Sequence, residues 1–262
     1  MRESNRVKFE KYEGTNYIPA VGSVVTFADG HLGGCSIYGD PCTELPKMWK
    51  YLLDTLNIKS VVDVGCGFGF HTKYFKEELG CEVLGIEGSS KVVELSLLPD
   101  DIICHDYATG AYVLPKTYDM VWCIECVEHI HEQFIPNFME TFKKCRYVAM
   151  THGTPGQGGY HHVNCQPMEY WINIMQKNGF SLLVDTTLKC REISKEDNLD
   201  FLAWTRDHSP NKPYRGPSAD CVSELIKKHN KVWAGEVPWG FYFGMNGLVF
   251  KNEAISNFEK LK

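Results

Sequence analysis

An α/β chain built on a mostly parallel sheet, with helices on both faces, follows from three observations. Apolar runs of strand length alternate with helical sequence between about residues 60 and 184, the pattern of repeated βαβ units. The run Val61-Val62-Asp63-Val64 opens directly into a turn containing Gly65, Gly67 and Gly69, which lets backbone approach a ligand closely. Glu87 then closes the next apolar run, about 20 residues past the glycines, where a nucleoside-binding fold holds ribose hydroxyls.

The elements can be taken in order. Residues 1–46 are rich in Gly, Tyr and Thr with little helical periodicity, and are expected to cap the cofactor or substrate cleft. Residues 44–57 predict a helix with Leu45, Trp49, Leu52, Leu53 and Leu56 on one face, Thr43 as N-cap and Pro46 in the first turn. The core should then run strand 60–65, helix 69–79, strand 82–87, a short helix near 90–97 and strand 101–105. Strand 119–124, helix 133–144 and strand 146–151 follow. A helix over 167–178 should stop at Gly179, a good C-cap, before strand 180–184. Residues 247–250 supply the last strand, making seven. The stretch 185–245 is too long for a simple connection, so it is expected to be a substrate-side insertion with a helix near 219–231. Its aromatics, Trp204, Tyr214, Trp233, Trp239, Phe241, Tyr242 and Phe243, are read mainly as packing residues. The division is thus one domain over 1–262: cap and lead-in helix 1–58, core 59–184, insertion 185–245, last strand and tail 246–262.

Composition narrows the class. A hydrophobic content of 44% with 13% aromatics suits a well-filled core, and no run approaches the roughly 18 apolar residues of a membrane helix. The start, Met1-Arg2-Glu3-Ser4-Asn5-Arg6, has no apolar signal core. The 11 cysteines are odd in number and irregularly spaced, so they read as reduced, mostly buried thiols of a cytoplasmic protein. The pair Cys123-Ile124-Glu125-Cys126 has no second pair at zinc-site spacing. A net charge of −6 disfavours a sequence-independent nucleic-acid partner. A small-molecule or glycan partner and no membrane are expected; oligomeric state is not encoded in any feature found.

Asp63 lies just ahead of the glycine turn. A carboxylate there would repel a pyrophosphate but suits a ligand carrying an ammonium and a sulfonium. The pattern Val-x-Asp-x-Gly-Cys-Gly-x-Gly resembles motif I of class I S-adenosylmethionine (SAM) methyltransferases. Three further pieces fall in the expected order: Glu87-Gly88-Ser89, His105-Asp106-Tyr107, and the strand Tyr118-Asp119-Met120-Val121-Trp122-Cys123. The resemblance implies a Rossmann-like class I fold, SAM as cofactor, and Asp106 on the adenine amino group. Asp63, Gly65, Cys66, Gly67, Gly69, Glu87, Gly88, Asp106, Tyr107 and Cys123 are the cofactor-binding candidates.

The acceptor should sit beyond the strand ends. In Ile124-Glu125-Cys126-Val127-Glu128-His129, a helical turn would put Glu125, Glu128 and His129 on one face. Two carboxylates and an imidazole would suit Mg²⁺ or Mn²⁺. A glycine-rich loop, Thr151-His152-Gly153 through His161-His162-Val163-Asn164, could fold over the same mouth. The Glu-x-x-Glu-His pattern with a later loop histidine resembles metal-dependent O-methyltransferases, including plant small-RNA 2′-O-methyltransferases and catechol-type enzymes of ubiquinone synthesis. By that resemblance Glu125, Glu128, His129 and His161 or His162 would be ligands, and His162 is the one chosen. His161, His162 and His129 are the candidate bases, since imidazole titrates near neutrality.

Gly33-Gly34, Gly39-Asp40-Pro41-Cys42-Thr43, Leu45-Pro46-Lys47-Met48-Trp49 and Pro155 to Trp171 resemble a methyltransferase subfamily of bacterial and large-virus genomes often found among glycan-assembly functions. The expectation is therefore methylation of a sugar or glycan hydroxyl. Alternatives are a phenol or catechol, the 2′-hydroxyl of an RNA ribose, or a SAM-binding partner subunit without transfer activity.

Overall fold

A computed structural model describes residues 16–17, 24–26, 30–36, 40, 42–208 and 242–255. Three short strands, β1 (Asn16–Tyr17), β2 (Val24–Thr26) and β3 (Cys35–Ser36), form a small antiparallel sheet ahead of the core. The core strands are β4 (Ser60–Val64), β5 (Glu82–Glu87), β6 (Ile102–Cys104), β7 (Tyr118–Cys123), β8 (Cys145–Met150), β9 (Phe180–Leu182) and β10 (Leu248–Asn252). They lie in the order β6-β5-β4-β7-β8-β10-β9. Every pair is parallel except those of β10, which runs antiparallel to both β8 and β9. This is the expected seven-stranded, mostly parallel, Rossmann-like sheet. The chain reverses its strand order between β4 and β7, so the crevice of an open α/β sheet opens at their carboxyl ends.

The helices are α1 (Pro46–Leu56), α2 (Phe70–Glu77), α3 (Ser90–Glu94), α4 (Ile135–Phe142), α5 (Met168–Lys177), α6 (Val184–His208) and α7 (Tyr242–Asn246). Strand residues alternate between two cores. Val62, Val64, Val121 and Val148 meet Phe138, Met139 and Phe142 of α4 and Trp171 and Met175 of α5. Val61, Met120, Trp122 and Ala149 meet Met48, Trp49 and Leu52 of α1, Phe75 of α2, Cys190 of α6 and Phe243 of α7. Both faces are therefore covered, which is why these strands read as near-continuous apolar runs.

One local expectation changes. Thr43 is not the cap of α1. Its hydroxyl donates to the Asp40 carbonyl at 2.8 Å and lies 3.0 Å from His71 Nε2, while Leu45 takes the N-cap position without a side-chain bond. The free N–H groups of Lys47 and Met48 donate instead to the Asp197 carboxylate of α6, at 3.1 and 3.0 Å. The stretch after β9, expected as an insertion with a helix near 219–231, begins as the 25-residue α6, whose apolar residues follow no clean helical period. The helix expected near 219–231 lies outside the described residues, as do Tyr214, Trp233, Trp239 and Phe241. Phe243 packs, stacking on Trp122 with ring planes 5° apart.

Candidate active site

At the end of β4 the chain turns through Gly65, Gly67 and Gly69, with φ of 72°, 54° and 81°. Side chains rarely adopt these left-handed angles. At Gly65 a Cβ would also come 2.5 Å from Cys126 Sγ. Glu87, at the end of β5, reaches back to this turn. Its Oε2 accepts the Gly67 N–H at 2.9 Å, and its Oε1 accepts the Ser89 N–H at 3.0 Å. Asp106 follows β6. Its Oδ1 accepts the Ala108 N–H at 2.7 Å and its Oδ2 lies 3.1 Å from His31 Nε2.

A cleft runs between these loops. Of the cofactor candidates, Gly65, Glu87, Gly88, Asp106 and Tyr107 line it. Two carboxylates beside a glycine cradle with no Cβ to fill it fit a cationic nucleoside such as SAM. Glu87 would take the ribose hydroxyls and Asp106 the adenine amino group. Cys66, Gly67, Gly69 and Cys123 are not part of the described cleft wall. Burial, then Asp63 and Glu87, pushes the Cys66 thiol up, and a hydrogen bond with Cys126, then burial, does the same for Cys123. Gly67 and Gly69 shape the turn.

Asp63 also stands behind the wall rather than in it. Its residue number alternates with Val62 and Val64, so it faces α2, where its Oδ2 accepts the Thr72 hydroxyl at 2.7 Å. Burial pushes its carboxyl up to about 7, with the Thr72 bonds opposing and Glu87 adding a smaller upward push. Tyr107 donates or accepts at Thr141 Oγ1 across 2.8 Å, and burial raises its phenol.

The acceptor side differs locally from its expectation. Glu125, Glu128 and His129 do not share a helical face. Glu125 has φ 49° and precedes a 3₁₀ turn over Val127–His129. Thr151, at the end of β8, clamps this left-handed residue: its Oγ1 accepts the Glu125 N–H at 2.8 Å and donates to Oε1 at 2.9 Å. A non-glycine residue held there at a cleft is a common mark of a functional site.

The glycine-rich loop closes on the same turn. The N–H groups of Val163 and Asn164 both donate to the Glu128 carbonyl. The His161 carbonyl sits 3.2 Å from His129 Nδ1; a carbonyl only accepts, so Nδ1 carries the proton and Nε2 keeps its lone pair. The His162 ring lies 4.8 Å from that of His129 and is seated over Gly159, where a Cβ would fall 2.1 Å from Nε2.

The loop therefore brings Glu128, His129 and His162 together, with one ligand-type atom from each mutually within 4.8 Å. Glu125 stands beside this cluster, held by Thr151, and His161 faces His131 with ring centroids 5.7 Å apart. Glu128 is fully buried; neither carboxylate oxygen makes a well-formed hydrogen bond among the described residues, although the Glu125 side chain and the N–H groups of Cys126 and Glu128 lie close enough to oppose the effect of burial. Such a group is costly to leave unsatisfied, so an oxygen and two nitrogens around it fit a divalent cation. Burial pushes Glu128 up to about 7, and burial then the Glu128 charge raises Glu125. His129 falls to about 4, first through burial and then through His162. His162 and His161 are lowered chiefly by burial.

His31, Leu32, Cys35 and Cys126 line the cleft without having been singled out as site residues. The first three lie far upstream with no motif, and only the fold brings them to Glu87 and Asp106. Cys126 was visible only as half of an isolated Cys-x-x-Cys pair.

Comparisons with known proteins find the following similarities. Residues 62–154 match a family model described as a methyltransferase domain. The chain is 23% identical over 152 residues to an 18S rRNA (guanine-N(7))-methyltransferase of Schizosaccharomyces pombe, covering 53% of this chain and 55% of that protein. It thus spans about half the length of that curated relative. Among solved structures, the methyltransferase domain of a bacterial Hen1 is 19% identical with a TM-score of 0.42, over 52% of this chain and 86% of that one. The magnesium protoporphyrin IX methyltransferase of Synechocystis PCC 6803 with bound SAM is 20% identical with a TM-score of 0.41, over 54% and 69%. Residues 62–154, which carry the glycine turn and the strand reversal, are thus similar to a methyltransferase domain.

Proposed function

We propose that the chain methylates a hydroxyl oxygen of a sugar or glycan, with a divalent cation held by Glu128, His129 and His162 beside the acceptor. One observation carries the reading: the buried Glu128 carboxylate and two imidazoles converge next to a cleft lined by Glu87 and Asp106.

SAM, when bound, supplies an electrophilic methyl group. The chain's own work is to align donor and acceptor oxygen at near-attack distance, which carries much of the acceleration. A sugar hydroxyl is a poor nucleophile while neutral. A cation at this site would favour its ionisation, and adjacent hydroxyls would suit two positions around it. With a cation on His129 Nε2, the His161 imidazole would take the proton; without a cation, His129 Nε2 has its lone pair for that role. Both imidazoles are neutral at physiological pH by the direction of their shifts, so both have a lone pair to offer. The glycan assignment draws its support from the subfamily resemblance of Pro155 to Trp171.

The test is transfer of labelled methyl from SAM to glycan, catechol and RNA acceptors, with and without EDTA. Transfer to vicinal-diol glycans, lost in EDTA and restored by Mg²⁺ or Mn²⁺, is expected. Full activity in chelator would remove the cation and leave the histidine base. Labelling of RNA or catechol alone would replace the acceptor. SAM binding without any transfer would point to a partner subunit.

A further inference from the structure

We propose that residues 30–36 form a strap that closes over the bound donor, with Gly33 and His31 as positioning residues, so that the donor binds before the acceptor. The proposal rests on the methyl-transfer reading above. It goes beyond it by linking the donor and acceptor halves through a segment outside the family match.

The strap touches a loop at the end of each of five core strands. Cys35 Sγ lies 3.7 Å from where a Cβ on Gly67 would stand, after β4. Leu32 covers Gly88, after β5, so closely that a Cβ there would meet its Cδ2 at 2.8 Å. His31 Nε2 stands 3.1 Å from Asp106 Oδ2, after β6. Gly33, with φ 86°, lies on the His129 ring after β7, where a Cβ would be 2.7 Å from Nδ1. Gly30 meets Tyr160 in the loop after β8, a Cβ falling 2.7 Å from its hydroxyl. His31, Leu32, Gly34 and Cys35 are themselves cleft wall, facing Glu87 and Asp106.

Two consequences follow. A donor seated in this cleft is covered by the strap, so entry and release require it to lift. Its own secondary structure is slight, a three-residue 3₁₀ turn and a two-residue strand, so little regular hydrogen bonding holds it and the five contacts above are what lifting must break. Conversely, closure presses Gly33 against the His129 edge that bonds the His161 carbonyl. That contact fixes the ring that belongs to the Glu128 and His162 cluster. A strap settled on the donor therefore completes the acceptor side. Gly33 is the one residue type that fits, because a side chain would need both a left-handed backbone and the space of the ring.

The experiment uses the full chain and S-adenosylhomocysteine (SAH), the spent donor. Hydrogen exchange should show residues 30–36 gaining protection on SAH addition. His31→Ala should release SAH about fivefold faster in stopped flow, since a lost polar contact acts mostly on dissociation. In histidine-selective ¹⁵N spectra, Gly33→Ala should move the His129 Nδ1 resonance. Gly80→Ala, a left-handed glycine with open space around it, should leave that resonance in place. If SAH binds calorimetrically but residues 30–36 gain no protection, or if the Gly33 variant leaves His129 unmoved, the strap is wrong while the methyl-transfer reading stands. No SAH heat at all overturns both.

Discussion

Asp63 and Glu87 are 24 positions apart and do different work, although both are acids at the edge of the cradle. Glu87 spends one carboxylate oxygen on the glycine turn and the other on the start of α3, and it still faces the cleft. Glu87→Ala should weaken SAM or SAH binding by about 1.5–3 kcal/mol, the usual cost of losing a charged hydrogen-bond partner. Calorimetry giving an unchanged affinity would remove Glu87 from the ribose. Asp63 instead holds Thr72 inside the fold, with its carboxyl raised to about 7. Between its ordinary value near 3.8 and about 7, the folded chain keeps a proton that the unfolded chain has lost. Its contribution to stability is therefore complete at low pH and declines as pH rises through that window. Asp63→Asn keeps the shape and cannot ionise. Its thermal midpoint should gain on that of the wild type as pH rises from about 4 to about 7. A constant gap would mean the carboxyl is not raised.

Helix α1 shows how an element can be legible in sequence while its fastening is not. Its apolar face and Pro46 identify it, but the expected cap, Thr43, is turned toward Asp40 and His71. The capping acid is Asp197, 149 and 150 positions from the two N–H groups it accepts. Asp197→Ala should cost about 0.5–2 kcal/mol, as loss of a cap does. The readout is a lower urea midpoint with unchanged far-UV circular dichroism, and no change in midpoint would show the α1–α6 bond to be idle. The turn after β7 makes the same point. Its Glu-x-x-Glu-His spacing suggested one helical face, yet Thr151, a long-range partner from β8, holds Glu125 in a left-handed conformation that ends any regular helix there. The later His162 reaches the cluster only because Gly159 leaves room for its ring.

Across the whole molecule, β10 and α7 close the structure from the far end of the chain. Phe243 is fully buried and stacks on Trp122 of β7, with centroids 5.9 Å apart, in the core shared by α1, α2 and α6. Phe243→Ala should cost about 3–5 kcal/mol through lost burial and the cavity it leaves. Chemical denaturation reads this directly; a loss under about 1 kcal/mol would mean the site collapses around the gap. Seven strands, their alternation with helices and the glycine turn could all be read along the chain. Each depends on neighbours within a few positions, through hydrophobic period and backbone freedom. Position in the chain also sufficed to nominate Glu87, because strand ends in a parallel sheet share one edge, while Asp106, Glu128 and His129 were nominated with the help of a family resemblance. What came only with folding was pairing between distant segments: Asp197 on α1, Thr151 on Glu125, the strap on Asp106 and His129, and Asp63 turned to α2 instead of the cleft. Those choices depend on which side chains meet across packed layers. No local pattern records that, since it is settled by burial and hydrogen bonding summed over the whole fold.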